Sequence, residues 1–152
     1  MKKTIFKGRY SHALDDKGRI RIPTKLKDLV GGSAFFTYGN GCILMMTAEQ
    51  GDDLLEKFSE KSDILKIEST DLVRKISQGD VYEEDGQGRI LLPTHMLEYA
   101  GLKKNVVSVG MINWVEIWDE ETLNKKESKV SFEEAVLSVR KLETDATAST
   151  QG

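Results

Sequence analysis

The chain of 152 residues contains an internal duplication, and no other feature of its sequence constrains the fold as strongly. A shift of 70 positions aligns residues 14–31 with residues 84–101. Both copies contain the pattern Asp-x-x-Gly-Arg-Ile, at residues 15–20 and 85–90. Because a repeated segment of this kind usually encodes one supersecondary unit used twice, we expect two halves with the same local structure.

Each copy of the pattern predicts a turn between two strands. Apolar residues alternate before the first turn, and Ile20 resumes the alternation after it, which predicts a β-hairpin. Two residue types shape such a turn, since aspartate accepts backbone N–H groups and glycine adopts backbone angles that other residues avoid. The turn-shaping residues are therefore Asp15, Gly18, Asp85 and Gly88.

The segments after the two turns also correspond. A Pro-Thr pair begins a short helix in each half, and Gly31 and Gly101 suit the helix ends. Two apolar strands follow in each half, then helical segments, with a polar connector around residues 64–67 in the first half. Residues 144–152 are small and polar, which indicates a flexible C-terminal tail.

Neither half has enough residues to cover its own strands. Each half has about 70 residues, and its hairpins have open edges that need further packing. We therefore expect the halves to share one sheet system with pseudo-twofold symmetry. The predicted class is α+β, with a first repeat at residues 1–70, a second repeat at 71–143 and the tail at 144–152.

Charge is distributed unevenly along the chain. The formal net charge is -3, yet residues 1–30 contain nine basic residues and three acidic ones. This asymmetry is typical of a protein with one face that attracts phosphate and another that repels it. A lysine-rich, solvated N-terminal segment is the alternative explanation.

The two motif arginines, Arg19 and Arg89, are the leading candidates for contact with nucleic acid, because guanidinium groups offer planar donors to phosphate or to guanine. They could instead form structural ion pairs with the turn aspartates, and the two roles are compatible. Charge alone adds further candidates, which are Lys17, Arg21 and Arg9. The second turn is less basic, since Gln87 and Leu91 replace two of these cations, and we expect it to contribute less.

Catalytic and cofactor sites find no support in the sequence. His12 and His95 occupy non-equivalent positions, and neither has ligand spacing to the single cysteine, Cys42. Phosphate-cradling glycine motifs do not occur, so we expect no enzyme, metal site, cofactor or small-molecule substrate. No segment approaches the roughly 20 apolar residues that span a bilayer, and no signal segment opens the chain, so we expect a cytoplasmic protein without a membrane partner.

The segments FKGRYSHALDDKGRIRIPTKL and EEDGQGRILLPTHMLEYAGL resemble the two repeats of the MraZ family of bacterial transcriptional regulators. The resemblance implies an AbrB-like swapped-hairpin double-split β-barrel and a ring-shaped homo-oligomer. It also implies binding to double-stranded DNA at repeated promoter sites of the division and cell-wall gene cluster, including the protein's own promoter, and hence association with the nucleoid.

By motif, the resemblance assigns DNA contact to Arg19 and Arg89, with Asp15 and Asp85 shaping the turns. The alternative is an oligomeric structural or protein-interaction module without direct DNA binding, which would use the amphipathic helix near residues 132–142.

Overall fold

A computed structural model describes residues 4–61 and 67–151. This part of the chain forms eight strands and six helices. In chain order they are β1 (Arg9–Ala13), β2 (Arg19–Ile20), α1 (Thr24–Val30), β3 (Ser33–Tyr38), β4 (Ile43–Met46), α2 (Ala48–Lys61), α3 (Ile67–Ser77), β5 (Asp80–Glu83), β6 (Ile90–Leu91), α4 (Thr94–Ala100), β7 (Asn105–Gly110), β8 (Val115–Asp119), α5 (Glu120–Ser128) and α6 (Phe132–Gln151).

The strands form two antiparallel sheets, which confirms the α+β class. The larger sheet has the order β1-β7-β8-β4-β3-β5, and the smaller one pairs β2 with β6. The larger sheet therefore contains strands of both predicted repeats, 1–70 and 71–143, with a pair from each repeat at its centre and one exchanged strand at each edge. Replacing every strand by its equivalent in the other repeat and reversing the order gives the same arrangement. Equivalent residues of the two repeats face each other in two places, Ile20 with Ile90 and Leu44 with Glu116. The pseudo-twofold axis therefore passes between the two residues of each pair.

The predicted hairpins close only at their turns. Leu14 forms a single bridge with Ile20, and beyond it β1 pairs with β7 while β2 pairs with β6. The two arms of the first turn thus enter different sheets, and each pairs with a strand of the other repeat. The physical reason is the one that predicts a shared sheet: a repeat of this size buries its apolar strand faces only against its partner.

The core of the compact unit formed by residues 1–120 comes from both repeats. Equivalent positions are buried in pairs, such as Ile22 with Leu92 and Leu26 with Met96. The apolar strand residues Phe36, Ile43, Val106 and Ile117 fill the space between them. The central strands of the larger sheet are buried on both faces, because successive side chains point to opposite faces and both Phe35 and Phe36 of β3 are buried.

The short helices α1 and α4 end as predicted. Gly31 and Gly101 have φ angles of 80° and 62°, and the N–H of each donates to a carbonyl in the last turn of its helix.

The helix α2 begins with a capping box, in which Thr47 Oγ1 accepts from Gln50 N (3.0 Å) and Gln50 Oε1 accepts from Thr47 N (2.9 Å).

The described residues from Glu121 onward form a second compact unit, which contains α6 and all of α5 except its first residue, Glu120. Helix α6 continues to Gln151, so the span 144–151 is helical rather than irregular, and the mobility of the tail stays a prediction. The first part of the connector predicted around residues 64–67 lies outside the described residues, and Ile67 begins α3. None of the helices in the described part of the chain is both long and apolar enough to cross a bilayer.

Candidate nucleic-acid interface

The first Asp-x-x-x-Arg turn is closed by a network centred on Asp15. The N–H of Asp15 donates to the carbonyl of Arg19 (2.9 Å), and Gly18 N–H donates back to the carbonyl of Asp15 (3.1 Å). The carboxylate oxygen Oδ1 accepts the backbone N–H groups of Lys17 and Arg19, both at 2.9 Å. Its other oxygen, Oδ2, accepts Nε–H of Arg19 at 2.7 Å. A φ angle of 82° at Gly18 explains the need for glycine at this position.

The second turn repeats the same five bonds around Asp85. Its Oδ1 accepts the N–H groups of Gln87 (2.8 Å) and Arg89 (3.0 Å), and its Oδ2 accepts Nε–H of Arg89 at 3.1 Å. Gly88 has a φ angle of 76°. These bonds hold the pKa of both aspartates below the usual value of 3.8, with the backbone N–H of the motif arginine as the main cause. Both carboxylates are therefore ionised at neutral pH.

The aspartates hold the motif arginines by one nitrogen each. Only Nε of each arginine is bonded to the carboxylate. The planar fork of Nη1 and Nη2 has no partner among the residues in the described ranges. The side chains of Arg19 and Arg89 are 25% and 24% exposed, so each fork is oriented yet reachable from solvent. The structural ion pair that the sequence suggests is present, and it leaves the donors that nucleic acid would use.

Each turn rests on the opposite repeat, and the two supporting surfaces differ. A Cβ added at Gly18 would lie 3.0 Å from Leu97 Cδ1 and 3.9 Å from Leu91 Cδ1. A Cβ added at Gly88 would lie 3.6 Å from Lys27 Nζ and 3.9 Å from Arg21 Nη1. Since these supports are equivalent by the 70-residue shift, an apolar pair beneath the first turn corresponds to a charged pair beneath the second.

Two clefts flank the turns, and the first cleft is strongly basic. Its lining combines segments of both repeats and includes five cations and one carboxylate, which are Arg9, Arg19, Arg21, Arg89, Lys104 and Asp15. Both motif arginines thus face one cleft, although they belong to different turns. Such a concentration of positive charge attracts phosphate.

The second cleft lies at the positions equivalent to the first. Its lining pairs one cation with one carboxylate, Lys17 and Asp16, and is otherwise formed mainly by apolar residues such as Leu91, Leu92 and Leu97. Five of its lining residues have equivalents in the first cleft: Tyr82, Leu91, Leu92, Pro93 and Thr94 correspond to His12, Arg21, Ile22, Pro23 and Thr24. Part of the lining of the clefts therefore follows the duplication, whereas their charge does not.

The structure groups the predicted DNA-contact residues differently from the sequence. Arg19, Arg89, Arg21 and Arg9 line the first cleft, whereas Lys17 lines the second, so Lys17 is separated from Arg21 despite its closeness in the chain. Lys104 joins the first cleft and is missed by sequence reasoning. The sequence carries no signal for it, because its place beside the first turn depends on a contact between the repeats, in which Leu14 N–H donates to the carbonyl of Lys104 at 3.0 Å.

His12 also lines the first cleft, and it does so as a neutral side chain. A hydrogen bond of 2.6 Å joins its Nε2 to Ser108 Oγ. Burial lowers the pKa of His12 from 6.5 to about 4, since a desolvated imidazolium is disfavoured. Its equivalent in the second cleft is Tyr82, whose pKa is raised, chiefly by burial.

Comparisons with known proteins place the chain among close relatives. A family described as "MraZ protein, putative antitoxin-like" matches residues 77–140. A protein named transcriptional regulator MraZ from Clostridium beijerinckii is 36% identical over 132 residues, which cover 85% of this chain and 92% of the relative. Proteins of the same name from Thermomicrobium roseum and Heliobacterium modesticaldum are 37% and 36% identical, over 77% and 86% of this chain and 83% and 93% of their own lengths.

Proposed function

The chain belongs to the MraZ family and is a transcriptional regulator rather than an enzyme, and from this premise we propose that it acts by binding duplex DNA through its two Asp-x-x-x-Arg turns. The target sites are repeated elements in the promoter of the division and cell-wall gene cluster, including the protein's own promoter. The observation that carries the proposal is the common cleft of Arg19 and Arg89, each fixed by an aspartate through Nε.

Fixing Nε prepares the arginines for recognition. A guanidinium that is already oriented loses less side-chain entropy when it binds, and its two terminal nitrogens match the acceptor pair of a guanine edge or two phosphate oxygens. Both turns sit in the same geometry, so their arginines can approach one duplex segment from one surface. This arrangement supports sequence reading by the forks of Arg19 and Arg89, with other cations supplying phosphate contacts.

The strand exchange supports the finer description of the fold. In an AbrB-like swapped-hairpin double-split β-barrel, the hairpins of two halves exchange strands. Here β1 of the first repeat pairs with β7 of the second, and β5 of the second pairs with β3 of the first. We propose that the chain contains both halves of such a barrel, with β2 and β6 meeting at the pseudo-twofold axis.

Assembly into a homo-oligomeric ring would explain how a protein with a net charge of -3 holds DNA. Several basic clefts presented together to tandem sites gain affinity through effective concentration, so one protomer need not bind tightly. The net negative charge of the rest of each chain limits binding to unrelated DNA, because only the cleft face attracts phosphate. The proposed activity belongs in the cytoplasm, at the nucleoid.

The test compares three arginine variants in gel shifts with the DNA upstream of the protein's own gene. We expect Arg19→Ala and Arg89→Ala each to lose about tenfold or more in affinity, since a bidentate arginine contact contributes roughly 1–3 kcal/mol. Arg74→Ala is the matched control: Arg74 also pairs with an aspartate, Asp71 at 2.9 Å, but on α3 and outside both clefts.

Oligomer size and thermal melting are measured for each variant to separate recognition from folding. Undiminished binding by both motif variants would contradict the proposal. A loss of folding in Arg19→Ala, with DNA binding reduced in proportion, would favour a purely structural ion pair.

A protein-interaction module is the second candidate, and α6 is the observation that favours it. This helix exposes large apolar side chains, three of which, Phe132, Val139 and Leu142, lie on one face by helical spacing, with Phe132 at 85% exposure. Such a face is typical of a helix that docks on a protein partner. DNA binding that is absent or insensitive to salt would support this module, whereas a steep fall of affinity with salt would support the regulator.

A further inference from the structure

Three cations that line the first cleft have uncharged residues at the equivalent positions of the other repeat. Arg21 corresponds to Leu91, and Arg9 corresponds to Gly79. Lys104 corresponds to Gly32, because the bond from Leu14 N–H to the Lys104 carbonyl is repeated by Glu84 N–H and the Gly32 carbonyl, both at 3.0 Å. These three cations of the first cleft are thus additions to a framework that the two repeats share.

We propose that each chain holds the DNA backbone in the first cleft alone, with Lys104 and Arg21 as phosphate-binding residues, and that the second cleft leaves the backbone unbound. This inference rests on the proposed function and deepens it, since it assigns the phosphate contacts to one side of a pseudo-symmetric surface. It also brings in Lys104, a residue of the second repeat that the Asp-x-x-x-Arg motif does not include.

Geometry and charge support this assignment together. The ammonium group of Lys104 and the guanidinium group of Arg21 form no ion pair with any carboxylate in residues 4–61 and 67–151, and Lys104 is exposed. The first cleft is also the larger, about 870 Å³ against about 530 Å³. A polyanion therefore finds more space and more available donors in the first cleft.

The surroundings of the second cleft oppose phosphate. Its cation, Lys17, stands beside Asp16, and the lining is otherwise dominated by leucines. The position equivalent to Lys104 is Gly32, which has no side chain and does not line the second cleft, and the Glu84 carboxylate near it is paired with Lys27 at 2.8 Å. A phosphate placed in the second cleft would lose water without gaining donors comparable to those of the first cleft.

The experiment measures affinity against salt concentration for Lys104→Ala, using a duplex from upstream of the protein's own gene and an unrelated duplex of equal length. We expect Lys104→Ala to bind both duplexes about 3- to 10-fold more weakly near 0.1 M salt and to reduce the slope of log K against log salt by about 0.9, the loss of one phosphate contact. Lys103→Ala, the adjacent lysine outside the cleft, and Lys17→Ala, from the second cleft, are the controls and should change affinity less than about twofold.

Two results separate the failure of this inference from that of the proposed function. A slope that falls as much in Lys17→Ala as in Lys104→Ala, or that falls in neither, would overturn the one-cleft assignment while DNA recognition stands. Equal affinity of the unaltered protein for both duplexes would contradict sequence-specific regulation, yet a slope lowered only in Lys104→Ala would still support the cleft. Absence of binding to either duplex would overturn both.

Discussion

The two Asp-x-x-x-Arg turns have the same hydrogen bonds, but they stand on different supports and between different clefts. Asp15 and Asp85 each accept two backbone N–H groups and one arginine Nε–H. Beneath the first turn lie leucines, and beneath the second lie Arg21 and Lys27. Duplication has therefore preserved the bonds that shape the backbone, whereas the side chains around the turns have diverged in charge. The identity of the motif and the charge available around it for binding are therefore separate properties.

The comparison also alters the expected role of Arg89. The sequence suggests a weaker second turn, because Gln87 and Leu91 replace cations. In the structure Arg89 lines the same basic cleft as Arg19, and Lys17, which corresponds to Gln87, lines the other one. Charge beside a turn in the chain is thus a poor guide to charge beside it in space, and we expect comparable losses from the two arginine variants.

The two clefts also differ at His12 and its equivalent, Tyr82. At His12 we expect a large effect of pH on the free energy of unfolding. The folded pKa of His12, about 4, lies below its ordinary value of 6.5, so the unfolded chain takes up the proton first as pH falls. Stability is therefore lost between pH 6.5 and pH 4, by about 3 kcal/mol at most. The turn aspartates lose their contribution only below their ordinary pKa of 3.8, which separates the two effects.

Urea unfolding at pH 7, 5.5 and 4.5 measures this dependence. His12→Gln should remove most of the loss between these pH values, because glutamine does not titrate. The change His95→Gln, at the exposed histidine of α4, is the control and should retain the loss. An unchanged pH dependence in His12→Gln would show that another group is responsible.

A smaller effect is expected from exchanging charge between the clefts. Arg21→Leu should weaken binding to promoter DNA about tenfold, since it removes a phosphate contact from the basic cleft. The double variant Arg21→Leu with Leu91→Arg has the net charge of the unaltered protein, and Leu91 is 60% exposed, so an arginine is accommodated there. We expect the double variant to stay as weak as Arg21→Leu. Recovery of affinity would mean that total charge, rather than the first cleft, determines binding.

The smallest effect concerns the ion pair of Lys27 with Glu84, whose Nζ and Oε2 atoms are 2.8 Å apart. The equivalent residues are Leu97 and Leu14, which pack against the core. Because the side chains of Lys27 and Glu84 are 37% and 27% exposed, we expect the pair to contribute less than about 1 kcal/mol to the free energy of unfolding.

A double-mutant cycle of Lys27→Leu and Glu84→Leu, followed by urea unfolding, measures this contribution. The doubly substituted protein should be about as stable as the original, since it reproduces the apolar pair of the other half. A coupling energy well above about 1 kcal/mol would show that this ion pair is a main support of the second turn.

The repeated local structure can be predicted from the amino-acid sequence alone. Aspartate and glycine at fixed spacing define the turns, Pro-Thr and glycine define the limits of α1 and α4, and apolar alternation defines the strands. These features depend on interactions between residues that are near in the chain, which a pattern can record. The relation of the two halves by a 70-residue shift also follows from sequence, and with it the shared sheet.

The pairing of the strands and the grouping of charged residues in the clefts depend on the tertiary structure. The arms of each turn pair across the repeats, and this exchange brings Arg89 and Lys104 of the second repeat beside Arg19 of the first while it sends Lys17 to the other side. The physical reason is that such proximity depends on the packing of distant segments around one core. No local pattern encodes it, so the difference in charge between the two clefts arises only when the chain folds.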